Sequence, residues 1–169
     1  MTGGFMQAEI TSEIPTPIRE SFKKHLVFSM NHERYSTPLS KVIEIVAMRN
    51  ITILPHAPRY VKGLINLRGK IITLVDFGKI VKNNTQTKNI ECSSIIIAKC
   101  NDLTIGFMVD EVLSVESFVD NKINTDLDEH TLRKNITVSG IVKNDKTDVL
   151  TIIVDFAKLV EGNELKYAL

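Results

Sequence analysis

KIITLVDFGKIV (70–81) and VLTIIVDFAKLV (149–160) are two copies of one sequence pattern, and this pattern decides the expected fold. In each copy an aliphatic strand runs into Asp-Phe, a small residue, Lys, an aliphatic residue and Val, with Asp76 matched to Asp155. Apolar character alone does not fix the positions of the Asp, the small residue and the Lys. The match therefore indicates an internal duplication of the chain.

The duplication continues upstream of both copies. HLVFSMNHERYSTPLSKVIEIV (25–46) resembles SIIIAKCNDLTIGFMVDEVLSV (94–115), since both contain a strand, a polar turn, a second strand and a valine-centred third strand. Gly63 corresponds to Gly140, and each of them precedes a hairpin. The repeat predicts two units of roughly 70 residues, each too small for a generous core of its own. The two units should therefore bury faces against each other.

Ten runs of 6 to 10 residues, rich in Val, Ile and Thr and bounded by turn-forming residues, predict β-strands. They cover residues 25–31, 34–39, 41–48, 60–69, 70–77, 93–100, 103–110, 111–118, 137–144 and 148–156. Two segments that begin with Asp, a good helix N-cap, predict short helices over 76–83 and 155–169. We expect a mainly β protein built from two five-stranded units, with short helices at strand ends and at the C-terminus.

The boundaries of these units follow from composition. A flexible tail is expected where Gly, Pro and polar residues alternate, and a crossing between the units is expected where polar residues show no periodicity. The expected divisions are a tail at 1–22, a folded domain at 23–160 and a helical end at 161–169, with a first unit at about 23–82, a crossing at 83–93 and a second unit at about 93–160.

The whole-chain charge is nearly balanced, with 21 Lys and Arg residues against 20 Asp and Glu residues. A dedicated nucleic-acid binder needs a concentrated positive surface to release counterions from phosphates, so this balance argues against one. Locally the charge separates, because residues 56–82 carry +5 and residues 101–130 carry −7. Such a division suits oriented assembly with protein partners. Solvated surface charge without a binding role is the open alternative.

The compartment is indicated by the cysteines and by the lack of long apolar runs. Cys92 and Cys100 are eight positions apart, which fits neither a redox pair nor a zinc site and predicts free thiols in a reducing compartment. No apolar run has the size of a signal peptide or approaches the about 18 residues that cross a bilayer. We therefore expect a cytoplasmic protein without direct membrane insertion.

The sequence offers no recognisable pattern for catalysis or cofactor binding, and its four histidines are scattered. Asp76 and Asp155 could form a symmetric pair of catalytic carboxylates. Each of them precedes a helix-like segment, however, so capping of backbone N–H groups is the better interpretation. We expect no enzymatic activity, no cofactor and no metal ion.

PHAPRYVKGLINLRGKIITLVDF (55–77) is the densest cluster of unusual residues. It predicts a hairpin with a rigid entry, a bulge or close backbone approach at Gly63, and a turn at Arg68-Gly69. Glu44 is the natural partner for Arg68, because it is charged within an otherwise apolar strand and a half-buried carboxylate needs a cation. The alternative is that Glu44 simply lies on the polar face of an edge strand.

Extended by one residue to LPHAPRYVKGLINLRGKIITLVDF, this segment resembles the signature of CheW-type chemotaxis coupling proteins. The shared elements are Pro-x-x-Pro, Gly-x-x-Asn-x-Arg-Gly and Val-Asp. HLVFSMNHERYSTPLSKVIEI resembles the family's opening strands and IGFMVDEVLSV its middle, so the resemblance covers about residues 24–160. Ser36 and Thr73 depart from the usual family residues.

The resemblance implies two SH3-like five-stranded barrels packed on a shared core, in a non-catalytic adaptor. Such adaptors link transmembrane chemoreceptors to the histidine kinase CheA. They bind the receptor's helical tip in a groove between subdomains, and they bind CheA's regulatory domain barrel to barrel. Matched to this chain, the resemblance implies partner-binding residues at Val42, Glu44, Gly63, Asn66, Arg68 and Gly69.

A second class of function remains to be weighed against the adaptor. A pair of small barrels could bind nucleic acid, but it would need aromatic platforms and a basic groove. The chain has no Trp, 7 Phe and 3 Tyr, and most of the Phe residues occupy strand positions that are expected to face inward. Single-stranded nucleic-acid binding is therefore the weaker alternative.

Overall fold

The computed structural model describes residues 21–81, 94–125, 138–144 and 147–162. Within these ranges the strands are β1 Phe22–Met30, β2 Glu33–Pro38, β3 Val42–Ala47, β4 Val61–Leu67, β5 Lys70–Asp76, β6 Ser94–Cys100, β7 Leu103–Val109, β8 Glu111–Val119, β9 Val138–Lys143 and β10 Leu150–Val154. The helices are α1 Phe77–Val81 and α2 Phe156–Gly162, and short 3-10 helices cover Leu39–Lys41 and Asp120–Lys122. All ten predicted strands and the mainly β fold class are confirmed.

Both α-helices begin directly after the aspartate of the repeat. Asp76 Oδ1 accepts a hydrogen bond from Lys79 N at 3.2 Å, and Asp155 Oδ1 accepts one from Ala157 N at 2.9 Å. These bonds satisfy backbone N–H groups that have no acceptor within the helix. The capping interpretation of the two aspartates is therefore confirmed. The predicted helical residues beyond α1 and α2 lie outside the described residues.

The strands form two five-stranded sheets with the same topology. One sheet, called barrel A here, has the order β8-β1-β2-β10-β9, and the other, barrel B, has the order β3-β6-β7-β5-β4. The two orders are equivalent strand by strand: β8 corresponds to β3, β1 to β6, β2 to β7, β10 to β5 and β9 to β4. The duplication inferred from the sequence is thus present in the strand order.

Each sheet is closed by the segment that follows one of its two edge strands, β3 in barrel B and β8 in barrel A. In barrel B, Thr52 and Leu64 of β4 exchange two backbone hydrogen bonds of 2.8 Å. In barrel A, Asn124 and Ile141 of β9 exchange two of 2.9 Å. These bridges pair edge N–H and C=O groups that an open sheet would leave exposed. The closure agrees with the two small barrels that the family resemblance implies.

The strands do not divide between the barrels at residues 83–93. Barrel B is one continuous stretch from β3 to β7, whereas barrel A combines β1 and β2 from before that stretch with β8, β9 and β10 from after it. The expected units at 23–82 and 93–160 are therefore wrong as structural units. Consecutive strands usually pair, which favours the simpler division. A sequence repeat shows which strands are equivalent, but it does not show which strands pair in the same sheet.

The two barrels share one apolar core, as predicted. Its aromatic centre combines rings from both barrels and both helices, namely Phe28, Tyr35, Phe77, Phe107 and Phe156. The rings of Phe107 and Phe156 stack with centroids 4.0 Å apart, and Phe77 meets Phe28 edge to face at 5.3 Å. Buried aromatic pairs add about 0.5–1.5 kcal/mol beyond the burial of their area, so this cluster binds the barrels firmly together.

Each barrel also has an interior of its own, and the two interiors are filled differently. Barrel B contains the buried apolar residues Val46, Ile65, Leu67, Ile72, Leu74, Ile95, Ile97 and Met108. Barrel A contains Val27, Phe118, Val142 and Ile153. Its strands also bury the polar side chains of His25, Ser36 and Thr151. A titratable group is thus buried in barrel A at the position that Ile95 occupies in barrel B.

His25 is only 2% exposed and packs on Phe118, with ring centroids 5.1 Å apart. Its Nδ1 atom lies 3.4 Å from Ser36 Oγ. Burial lowers the pKa of His25 below its usual 6.5; Lys23 lowers it further, and Asp120 opposes both. Removing an imidazolium ion from water is costly, so the folded protein favours the neutral ring.

We expect acid to destabilise the protein through this residue. Because the folded-state pKa of His25 lies below 6.5, the unfolded chain takes up the proton first as the pH falls. The contribution of His25 to the free energy of unfolding is therefore constant above its unfolded-state pKa. Below that pKa the contribution decreases as the pH falls, by at most about 1.4 kcal/mol per pH unit. In His25→Ile, urea titrations at about pH 7.5 and about pH 5.5 should show a smaller decrease than in the wild type. The exposed His32, changed to Asn, serves as the control and should retain the wild-type decrease. An undiminished pH dependence in His25→Ile would contradict the assignment.

Candidate partner-binding site

The β4–β5 hairpin of barrel B ends in a tight turn at Arg68 and Gly69. Both residues have positive φ angles, 53° and 83°, as a two-residue type I′ turn requires. Asn66 Oδ1 accepts a hydrogen bond from Gly69 N at 2.9 Å and so braces the turn. The predicted turn is confirmed, and it fixes where the Arg68 side chain leaves the hairpin.

Arg68 reaches across the closed edge of barrel B to Glu44 in β3. Arg68 Nη2 lies 3.1 Å from Glu44 Oε2, so the predicted ion pair is present. The Glu44 side chain is 25% exposed and the Arg68 side chain is 79% exposed. An ion pair with one partner so open to solvent contributes less than about 1 kcal/mol to stability. Its main effect is to hold an exposed guanidinium group at one place on the surface.

Gly63 occupies the bulge that the sequence predicted in β4. The register of β4 against β5 shifts between Val61 and Gly63, and Gly63 has a φ angle of +142°. A Cβ atom at this position would lie 2.2 Å from Thr52 O, the backbone group that closes barrel B. Gly63 is buried, so any influence on a partner surface passes through the placement of β4.

Strand β3 presents exposed aliphatic side chains next to Glu44. Val42, at its start, is half-buried and packs on the shared core, while Ile43 and Ile45 are 53% and 45% exposed. The equivalent strand β8 repeats this arrangement, with Leu113 and Val115 at 40% and 52% exposure. Apolar side chains kept on the outer faces of two equivalent edge strands are candidates for contact with a protein partner. We call these four residues the paired aliphatic surface.

The paired aliphatic surface was not predicted from the sequence. Alternating apolar residues in β3 and β8 were interpreted only as strand-forming, because alternation does not show which face meets the core. The missed signal was the repeat itself. Ile43 and Leu113, like Ile45 and Val115, are matched pairs 70 positions apart, and both members of each pair are apolar.

The basic and acidic segments of the chain do not occupy separate barrels. Within residues 56–82, Arg68 Nη2 lies 3.1 Å from Oε2 of Glu44, a carboxylate outside this segment, so part of the basic excess is paired. Within residues 101–125, β7 belongs to barrel B and β8 to barrel A, so the acidic side chains that the structure describes here are divided between the two barrels. Charged residues that are close together along the chain can therefore lie on different barrels in the folded protein.

The described part of the chain does not assemble a recognisable reactive centre. Among its residues, no group of three or more His, Cys, Asp or Glu side chains is placed to hold a metal ion. Burial, and to a smaller extent the nearby charge of Asp155, raise the pKa of the Cys100 thiol to about 12, while Lys41 opposes both. A thiol held protonated in this way is a poor nucleophile. No helix in the same ranges combines the length and apolar character needed to cross a membrane.

Two barrels on one core, an ion-paired turn and an exposed apolar surface define a small protein-docking domain. The CheW-like domain family matches residues 24–164, and the chain belongs to this family.

Known proteins and solved structures resemble the chain over most of its length. The chemotaxis protein CheW of Thermotoga maritima is 30% identical over 142 residues, which are 83% of this chain and 89% of that protein. The chemotaxis protein CheW of Bacillus subtilis is 26% identical over 136 residues, 80% of this chain and 83% of that protein. The crystal structure of the scaffolding protein TtCheW from Thermoanaerobacter tengcongensis superposes with a TM-score of 0.74 and 35% identity, covering 83% of this chain and 94% of that one. The chain is thus a chemotaxis scaffold of the CheW type and not an enzyme.

Proposed function

We propose that this protein couples transmembrane chemoreceptors to the histidine kinase CheA in the cytoplasm. In this proposal the helical tip of a receptor binds in the groove between the barrels. The regulatory domain of CheA binds barrel to barrel, with Arg68 and Glu44 at the edge of its contact surface. The adaptor transmits the receptor's state only if its contacts differ in free energy between the on and off arrangements.

The paired aliphatic surface is the observation that carries this proposal. A valine near the start of each strand packs on the shared core, Val42 in β3 and Val112 in β8, and both strands then turn aliphatic side chains outward. An amphipathic helix can lay its apolar stripe against such side chains. The alternative of nucleic-acid binding gains no support, since the aromatic rings of the shared core are buried and cannot stack on bases.

Binding of a receptor cytoplasmic fragment tests the proposal directly. We expect Ile45→Asp and Val115→Asp each to weaken binding by about tenfold or more, because each places a charge where apolar contact is proposed. Leu150→Asp is the matched control, since Leu150 is 56% exposed on β10, outside the paired aliphatic surface. Titration of labelled receptor fragment with each variant measures the dissociation constants. Unchanged binding in both Ile45→Asp and Val115→Asp would refute this placement of the receptor.

The Arg68–Glu44 pair makes a separate prediction about the kinase. Arg68→Glu and Glu44→Arg should each weaken binding of the CheA regulatory domain by about tenfold, since each leaves two like charges side by side. The double reversal restores an ion pair and should recover most of the lost affinity. Calorimetric titration measures all four proteins. Lys143→Glu, which disrupts the exposed Lys143–Asp148 pair of barrel A, is the control and should bind normally. A double variant no better than either single variant would show that the pairing itself does not matter.

A further inference from the structure

Three hairpins have two-residue turns whose first residue lies in the left-handed region of backbone conformation. In β1–β2 this residue is Asn31, with a φ angle of 52°, and in β6–β7 it is Asn101, with a φ angle of 55°. In β4–β5 it is Arg68, with a φ angle of 53°. Asparagine tolerates this conformation because its short polar side chain can bond to the nearby backbone, whereas most residues with a Cβ atom are strained there. Arg68 is therefore the turn residue that the backbone conformation disfavours.

The β4–β5 hairpin has its asparagine two positions earlier, at Asn66. Asn66 Oδ1 accepts a hydrogen bond from Gly69 N at 2.9 Å. In a two-residue hairpin the N–H group of the second turn residue takes no part in the strand ladder, so this bond replaces no other backbone bond. Gly69 N belongs to the peptide group that links the two turn residues. The bond therefore holds Arg68 in its left-handed conformation.

The arginine itself contributes little to the fold. Its ion pair with Glu44 joins a side chain that is 79% exposed to one that is 25% exposed, and pairs so open to solvent are weak. Asparagine, as in the other two turns, would fit the backbone better. A strained residue that adds little stability and presents an exposed guanidinium group points to a binding role.

We propose that Asn66 is a positioning residue, which holds Arg68 in a strained turn so that its guanidinium group meets the kinase at a fixed place. In this arrangement Asn66 acts through Arg68 and not by its own contact with the partner. The inference rests on the proposed function, since the regulatory domain of CheA is the partner proposed there for Arg68.

Arg68→Asn tests the strain in the turn without the kinase. The substitution gives the turn the sequence Asn-Gly, which type I′ turns prefer. The parent protein and the variant both carry Glu44→Gln, which removes the ion pair from the comparison. We expect the folding equilibrium constant, measured by urea titration, to rise about threefold or more. Lys70→Asn, one residue later in β5, is the control and should give no increase, because asparagine is unfavourable in strands.

Calorimetric titration of the CheA regulatory domain tests the positioning role. Arg68→Asn should weaken binding by about tenfold, because it removes the cation from the proposed contact. Asn66→Ala should weaken binding by about threefold, because Arg68 then spends less time in the binding conformation. Asn66→Ala should have no further effect when Arg68→Asn is already present. Asn66→Asp keeps an oxygen acceptor for Gly69 N and should bind nearly as tightly as the wild type.

The two measurements separate a failure of this inference from a failure of the proposed kinase contact. If Arg68→Asn gives no gain in stability, the strained turn is refuted, whatever the kinase binding shows. A gain in stability with unchanged kinase binding shows that the proposed contact of Arg68 is wrong, and the positioning role falls with it. If Asn66→Ala weakens binding equally with and without Arg68→Asn, or in neither case, Asn66 does not position Arg68. Higher stability with weaker binding in Arg68→Asn, and an Asn66→Ala effect confined to proteins that retain Arg68, support the proposal.

Discussion

Replacing Gly63 with alanine should lower the free energy of unfolding by about 4 kcal/mol, because two unfavourable effects coincide at this position. Its φ angle of +142° is a conformation that residues with a side chain rarely adopt. An added Cβ atom would also lie 2.2 Å from Thr52 O and 2.8 Å from Ile51 Cγ2. Relieving this clash requires β4 to move away from the segment that closes barrel B. Urea unfolding followed by circular dichroism measures the loss.

Gly69 provides the matched control for this variant. It also has a positive φ angle, 83°, but a Cβ atom there would have no atom within 4 Å. Gly69→Ala therefore reports backbone strain alone and should cost about 1–2 kcal/mol. If Gly63→Ala costs no more than Gly69→Ala, the close approach to Thr52 is not what requires glycine in β4.

Asp76→Ala is expected to be similarly severe, with a loss of about 3–5 kcal/mol, because it breaks a buried ion pair on one side only. Asp76 is fully buried, caps α1 through Lys79 N and lies 3.3 Å from Lys62 Nζ. Without the carboxylate, the ammonium group of Lys62, whose side chain is three-quarters buried, loses its counter-charge. Asp76→Asn retains an oxygen acceptor for the cap and should lose less. Denaturant titration of the three proteins gives both differences.

The repeat supplies the control for Asp76 in the same molecule. Asp155 caps α2 in the equivalent position, through Ala157 N at 2.9 Å and Lys158 N at 3.4 Å. Asp155→Ala therefore removes a helix cap in a less buried setting and should cost about 1 kcal/mol. Equal losses at the two positions would mean that the Lys62 interaction adds nothing to the cap.

Features set by neighbouring residues could be predicted from the sequence. The strands follow from runs of β-branched residues between turn formers, and the two caps follow from an aspartate placed between a strand and a helical pattern. The turn at Arg68-Gly69 follows from residues that tolerate or require positive φ. Each of these features depends on a few consecutive positions, so the wrong assignment of strands to barrels did not disturb them.

Contacts between distant strands were harder to predict from the sequence. The prediction succeeded only where a charged residue interrupts an otherwise apolar strand. Glu44 attracted notice because it is a carboxylate in an apolar strand, and its partner proved to be Arg68. The ion pair between Arg34 of β2 and Glu116 of β8 was missed because the two residues are 82 positions apart and neither interrupts an otherwise apolar strand. Comparing the two copies position by position would have exposed it, since Val46 stands where Glu116 does.

The interleaved connectivity also governs the order in which the strands emerge from the ribosome. The first hairpin ends at Pro38, and its native neighbour β8 begins at Glu111. At a synthesis rate of about 5–20 residues per second, the hairpin leaves the exit tunnel roughly 4–15 seconds before that neighbour. All strands of barrel B appear during this interval. A nascent chain therefore completes the inserted barrel first, and the barrel that contains the N-terminal strand is finished last.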